Sequence, residues 1–131
     1  MPEQRNPYRG SRPWLRLGFK APDGAVHHLD LVADTGSAAG VIIRSDWMAT
    51  LRIEPCQHRP SNFGLLTGVW LRLYNPELRL VEFIRGYGND TAAHIATRSH
   101  TDFVGLVGLP ILRIGEYGGN ADAFWFRYPP T

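Results

Sequence analysis

The sequence predicts an all-β domain of short strands with one short helix near its C-terminus. Three observations carry this expectation. Apolar and polar residues alternate with period two in "WLRLGFK" (residues 14–20), the spacing of a strand with one buried face. Most apolar runs are brief and stop at Pro, Gly or Asn-Pro, which punctuate strands and turns. The clearest helix signals fall in "GLPILRIG", where Pro110 suits a first helical turn and Gly115 a helix end.

Taken in order, residues 1–12 read as a flexible polar arm and residues 13–131 as a single domain. "WLRLGFK" and "AVHHLDLVAD" flank the turn "APDG" and form a hairpin from Trp14 to Asp34. Val41 to Arg44 is a strand, and Ser45 caps a short helical turn through Arg52. "EPCQHRPSNFGLLTG" is loop-like. "VWLRLYN" and "ELRLVEFIRGY", split by Asn75-Pro76, form a second hairpin. Ala93 to Thr97 is a candidate strand, Phe103 to Val107 a β-like apolar run, Leu109 to Ile114 the helix, and Ala123 to Tyr128 the last strand.

Composition narrows the function classes. The 131 residues are 44% hydrophobic and 20% charged, enough for a core and unlike a disordered chain. No long uncharged apolar run suggests a membrane span, and "MPEQRNPYRGSRP" lacks the apolar segment of a secretory signal. With the single Cys56, these features predict a cytoplasmic protein. Thirteen of the fourteen basic residues are Arg, but they are scattered between apolar residues. They read as solvent-facing positions on half-buried strands, not as a nucleic-acid surface.

The informative stretch is "LVADTGSAAGVII" (residues 31–43), where one carboxylate follows an apolar strand. A buried acid is costly unless it is hydrogen-bonded, neutralised or used. Gly36 permits a tight turn, Thr35 offers a hydroxyl to a neighbouring chain or loop, and Ser37 can hold the Asp34 carboxylate from outside. Asp-Thr-Gly-Ser also suits an ordinary Asx-turn, the structural alternative for Asp34. Two facing carboxylates can share one proton, the ionised one activating water and the protonated one binding a carbonyl. The chain holds one Asp-Thr-Gly, so that chemistry requires a second Asp34 from a second subunit.

"LVADTGS" resembles the active-site signature of aspartic proteases. Its single copy and the downstream "FVGLVGLPILRI" are similar to the retropepsin-like, retroviral-type branch, in particular a single-lobe, bacterial-type member. The resemblance implies a closed β-barrel of the acid-protease fold and a homodimeric endopeptidase acting on peptide or protein substrates without a cofactor. It makes Asp34 the catalytic residue, supported by Thr35, Gly36 and Ser37, with Leu106-Val107-Gly108 as the second signature beneath the loop. A flap is expected around residues 61–68, followed by the strand from Val69 to Tyr74, with Phe63, Gly64 and Trp70 as candidate substrate contacts. The chain departs from the family in Leu109-Pro110, where a polar residue often follows the second Gly. The alternative is a domain of the same fold that dimerises or binds peptides without turnover.

Other candidates are weaker. His27, His28, His58, His94 and His100 lack metal-ligand spacing and imply no metal. Cys56 and His58 are too near in sequence to face each other as a dyad, and Ser37 lacks the G-x-S-x-G context of a nucleophile. Trp14, Trp47, Trp70 and Trp125 read as core or dimer anchors, with Trp70 lining the substrate cleft if the flap lies where the resemblance puts it.

Overall fold

A computed structural model describes residues 2–97 and 102–130. Six strands close into a barrel: β2 (Trp14–Lys20), β3 (Val26–Asp34), β9 (Gly105–Gly108), β4 (Val41–Ile43), β8 (Leu80–Gly88) and β7 (Gly64–Tyr74), with β7 returning to β2. Both hairpins expected from the turn signals form, β2–β3 around "APDG" and β7–β8 around Asn75-Pro76. Within the second, the Asn75 side chain accepts hydrogen bonds from the Glu77 and Arg79 amides. β9 lies between β3, to which it is parallel, and β4, to which it is antiparallel; β4 is parallel to β8.

Alternation explains the core. Leu15, Leu17 and Phe19 of β2 meet Leu29 and Leu31 of β3, Val69, Leu71 and Leu73 of β7, and Val107 of β9 inside the barrel. Leu106, pointing the other way, joins Ala39, Ile42, Leu66, Tyr87 and Ala92 in a second cluster outside it. β9 is therefore buried on both faces, which is why its sequence is a continuous apolar run and not an alternating one.

Several expectations need correction. Residues 3–7, expected in a flexible arm, form β1 (Glu3–Pro7) in a separate sheet of order β1-β11-β10, with β10 at Glu116–Gly119 and β11 at Ala123–Arg127. The polar sequence hid this because the segment is held by polar groups. Beyond its ladder to β11, the Gln4 carboxamide donates to the Arg16 carbonyl (2.8 Å) and accepts from the Arg16 amide (2.9 Å), and Asn6 donates to the Trp14 carbonyl. The described residues contain three helices: α1 (Ser45–Leu51), where a short helical turn through Arg52 was expected; α3 (Leu109–Leu112), where the short C-terminal helix was expected; and α2 (Asp90–Thr97), which was not expected. Ala93 to Thr97, a candidate strand, is helical because the Asn89 side chain caps α2 by accepting the Ala92 amide (2.9 Å). Ser45 is the first residue of α1, not its cap; its amide is satisfied by the Asp90 carboxylate of α2 (2.8 Å). The loop-like segment before Val69 holds β5 (Glu54–Pro55), β6 (Arg59–Ser61) and the first turns of β7's ladder. Among the described residues, no helix is long and apolar enough to cross a membrane.

Asp30 fastens β2 and β3 to the segment after β1. Arg16 grips its two oxygens (2.7 and 3.0 Å), and Arg9 adds a third contact (2.9 Å) while lying 3.6 Å from the centre of the Trp14 ring. Burial works to raise the Asp30 carboxyl, but the hydrogen bonds and charges of Arg16 and Arg9 outweigh it and hold it below its ordinary range. The unfolded chain then binds the proton more readily, so this stabilisation is present above about pH 4 and is lost as pH falls further. The melting midpoint is expected to drop less between about pH 5 and pH 3 in Asp30→Asn than in the wild type, as read by circular dichroism.

Candidate functional site

Asp34 is the last residue of β3 and pairs in register with Gly108, the last residue of β9. The strand pairs Val32–Leu106 and Ala33–Val107 bring the two sequence signatures side by side. Beyond β3 the chain turns at once: the Ser37 amide donates to the Asp34 carbonyl (3.1 Å), and the Gly36 amide donates to Asp34 Oδ1 (3.0 Å). The carboxylate is half-buried, while Thr35 and Gly36 are exposed.

The strand-to-helix junction supports this loop from below. The Gly108 amide donates to the Gly40 carbonyl (2.7 Å), and the Leu109 amide donates to the Ser37 carbonyl (3.1 Å). Gly108 is extended, so its lack of a side chain answers a problem of space, not of backbone angle. A Cβ there would stand 1.9 Å from the Ala39 carbonyl oxygen. Within the subunit, close approach of backbones thus falls at Gly108, whereas a Cβ on Gly36 meets only Asp34 Oδ1, at 3.3 Å. Leu109-Pro110 continues directly into α3, which ends at Leu112 and not at Ile114.

Ser37 does not hold the carboxylate. Its hydroxyl donates to the Ala39 carbonyl (3.0 Å) and accepts from the Ala39 amide (3.2 Å), closing the next turn of the loop. Among the described residues the Thr35 hydroxyl has no hydrogen-bond partner.

The expected flap region is a hairpin, β6–β7, with Asn62 and Phe63 at its tip. Gly64 follows at φ +98°, a conformation that favours glycine, and the Ser61 hydroxyl donates to its carbonyl (2.7 Å). Phe63 is 45% exposed and Leu65 58%. Phe63, Gly64 and Trp70 are not gathered into one surface. Trp70 lies further along β7 in a cleft of about 370 Å³ lined also by Ala38, Gly40, Arg59, Arg85 and Ile111; Phe63 and Gly64 do not line it.

Sequence reasoning missed two residues around this region. Arg59, in β6, donates to the Ala38 carbonyl (3.1 Å) and so ties the hairpin to the Asp34 loop. Asn89 caps α2 with its oxygen while its nitrogen donates to the carbonyls of Phe63 (3.3 Å) and Leu65 (3.2 Å). The signal for Asn89 was present as Asn-Asp-Thr ahead of Ala-Ala, an N-cap pattern. Asn89→Ala is expected to lose about 1–2 kcal/mol of stability, and to speed hydrogen exchange at residues 63–66 more than in the barrel strands.

The remaining candidates have structural surroundings. His58 Nδ1 accepts the Gly68 amide (2.9 Å), and the His27 ring stands edge-on to Trp47. Burial pushes the Cys56 thiol up, only partly offset by the charge of Arg85, so Cys56 is not an activated thiolate. Trp14 packs on Phe103. His100 lies outside the described residues. No group of three or more His, Cys, Asp or Glu among the described residues is placed to hold a metal ion.

No family model, curated protein or solved structure matches the chain.

Proposed function

We propose that the chain is an aspartic endopeptidase of the retropepsin-like type, working as a homodimer in which each subunit contributes one Asp34. The observation that carries this reading is the pairing of Asp34 with Gly108 at the ends of two adjacent parallel strands. It sets a half-buried carboxylate on a short loop with both flanking segments fixed. In the proposed mechanism two such loops meet at a two-fold axis, where the exposed Thr35 side chains brace them. The pair holds one proton, because two carboxylates so close cannot both ionise. The ionised Asp34 removes a proton from a bound water as it attacks the peptide carbonyl, and the protonated Asp34 donates to the carbonyl oxygen. The Gly36 amide, already on Oδ1, orients the carboxylate and leaves Oδ2 for water. We place this activity in the cytoplasm, a reading that rests on the single Cys56.

A second reading keeps the fold without turnover. It is favoured by the local bonding of the loop: Asp34 is engaged as in an Asx-turn, and Ser37 is committed to Ala39. In that case the domain dimerises or binds peptides.

The two readings separate in one experiment. A mixed peptide library is incubated with the protein across pH and across protein concentration. The endopeptidase gives cleavage that rises and falls with pH and that increases more than in proportion to concentration until the dimer saturates. A monomer at all concentrations, or no cleavage of any peptide, sinks the catalytic reading.

A further inference from the structure

The cleft beside the Asp34 loop holds two arginines, Arg59 and Arg85, and one acidic residue, Glu82. Trp70 and Arg85 face each other across β7 and β8, with Gly68–Tyr87 and Arg72–Phe83 as the neighbouring pairs on the same outward face. The Arg85 guanidinium lies 5.3 Å from the centre of the Trp70 ring. Arg59 reaches the same space from β6, and Arg59, Arg85 and Tyr87 also line an adjoining hollow that includes His58. Among the described residues neither Arg59 nor Arg85 forms an ion pair. Arg59 spends one donor on the Ala38 carbonyl, and a guanidinium has five. Glu82, which lines this cleft, belongs to the alternate set of β8 side chains, and Glu54 of β5 stands opposite Trp70 on its outward face. Neither forms an ion pair with Arg59 or Arg85 among the described residues.

The backbone of the cleft is open as well. β8 pairs with β7 along its length, but with β4 only at residues 86–88. Among the described residues the β4-side edge of residues 80–84 therefore has no strand neighbour. At Arg85 the Gly40 backbone closes on the carbonyl (a Cβ on Gly40 would stand 3.3 Å from it), so Ala38 and Gly40 mark the end of the open edge. Such an edge accepts an extended chain through main-chain hydrogen bonds, while alternate side chains select its sequence.

We infer that this cleft is a specificity subsite that takes the acidic side chain, Glu or Asp, of an extended peptide, held between Arg59 and Arg85. The assignment to a substrate rests on the endopeptidase reading above; the carboxylate binding does not. The Ala38 carbonyl keeps Arg59 aimed into the cleft, and the Trp70 ring gives Arg85 a flat surface to lie on. A bound carboxylate then receives charge-assisted bonds from two planar donors.

The test uses fluorescein-labelled, terminally blocked octapeptides of Ala and Val, with Glu, Gln or Lys placed at each position in turn. Binding is read by fluorescence polarisation against the wild type and against Asp34→Asn, and cleavage of the same peptides is read in parallel. At one position Glu is expected to bind at least about tenfold more tightly than Gln, with Lys weakest. The gain should shrink to near unity in Arg59→Gln/Arg85→Gln and partly in Arg85→Gln alone. The exposed position of Arg85 makes the single variant a control for folding. Equal affinity of Glu and Gln peptides, including no binding by either, overturns the inference, as does a gain that survives in the double variant. A gain seen only with an unblocked C-terminus overturns the side-chain assignment by moving the carboxylate to the chain end. Glu-selective binding without cleavage upholds the subsite and removes the endopeptidase reading; cleavage without Glu selectivity does the reverse.

Discussion

Asp34→Asn is expected to lower peptide cleavage by at least about a thousandfold, the scale of losing a positioned acid or base together with the proton its partner shares. Stability should barely change, within about 0.5 kcal/mol, because Asp34 is half-exposed and an asparagine oxygen can still accept the Gly36 amide. The more telling result comes from mixing. If one active centre needs an Asp34 from each of two subunits, an excess of Asp34→Asn protein draws wild-type subunits into inactive mixed dimers. Activity then falls as the variant is added, although the amount of wild type is constant. Mixing that leaves activity untouched would mean that each subunit works alone, and the shared-proton mechanism would fail with it.

Gly108→Ala is expected to be the most destabilising single methyl that the loop region can receive. The new Cβ would stand 1.9 Å from the Ala39 carbonyl oxygen, 2.9 Å from the Ser37 carbonyl oxygen and 3.0 Å from Ser37 Cβ. Two of these three are backbone atoms, so no rotamer change relieves them. β9 must move away from the loop, which lengthens the Gly108-to-Gly40 and Leu109-to-Ser37 hydrogen bonds. Overpacking of this kind costs about 1–3 kcal/mol, and the weakened hydrogen bonds add about 1 kcal/mol. The melting midpoint should fall by roughly 10 °C. Gly36→Ala is the control: its Cβ meets a side-chain oxygen at 3.3 Å, and its expected loss is under about 1 kcal/mol. Comparable losses in the two variants would show that the space around Gly108 is not what fixes the loop.

How far the sequence could be read depends on where each element draws its support. β2, β3, β7 and β8 have one face in the barrel, so alternation and turn residues announced them. β1 was illegible because its partners are carbonyls and amides of β11 and the carboxamides of its own Gln4 and Asn6. Neither leaves an apolar period. α2 was misread because Ala92, Ala93 and Ile95 are compatible with either state, and the deciding group is the capping side chain of Asn89. At the site, the motif gave the neighbours Asp34 and Gly108, whose proximity is written into two local signatures. It could not give Arg59 or Arg85, which reach the cleft through the register of β6, β7 and β8. Nor could it say that Ser37 would turn to Ala39, since one hydroxyl had two acceptors within reach.

The pairing of β3 with β9 has a consequence for how the molecule comes into being. The groups that fix the Asp34 loop, the amides of Gly108 and Leu109, belong to the last quarter of the chain. The barrel is likewise completed by parallel pairings between segments far apart in sequence, β3 with β9 and β4 with β8. Such a topology folds slowly, because large loops must close before the contacts that reward closure can form. During synthesis the loop bearing Asp34 leaves the ribosome early and stays unbraced until residue 109 has followed it. A chain cut short of residue 109 therefore carries the motif without the hydrogen bonds that fix its loop.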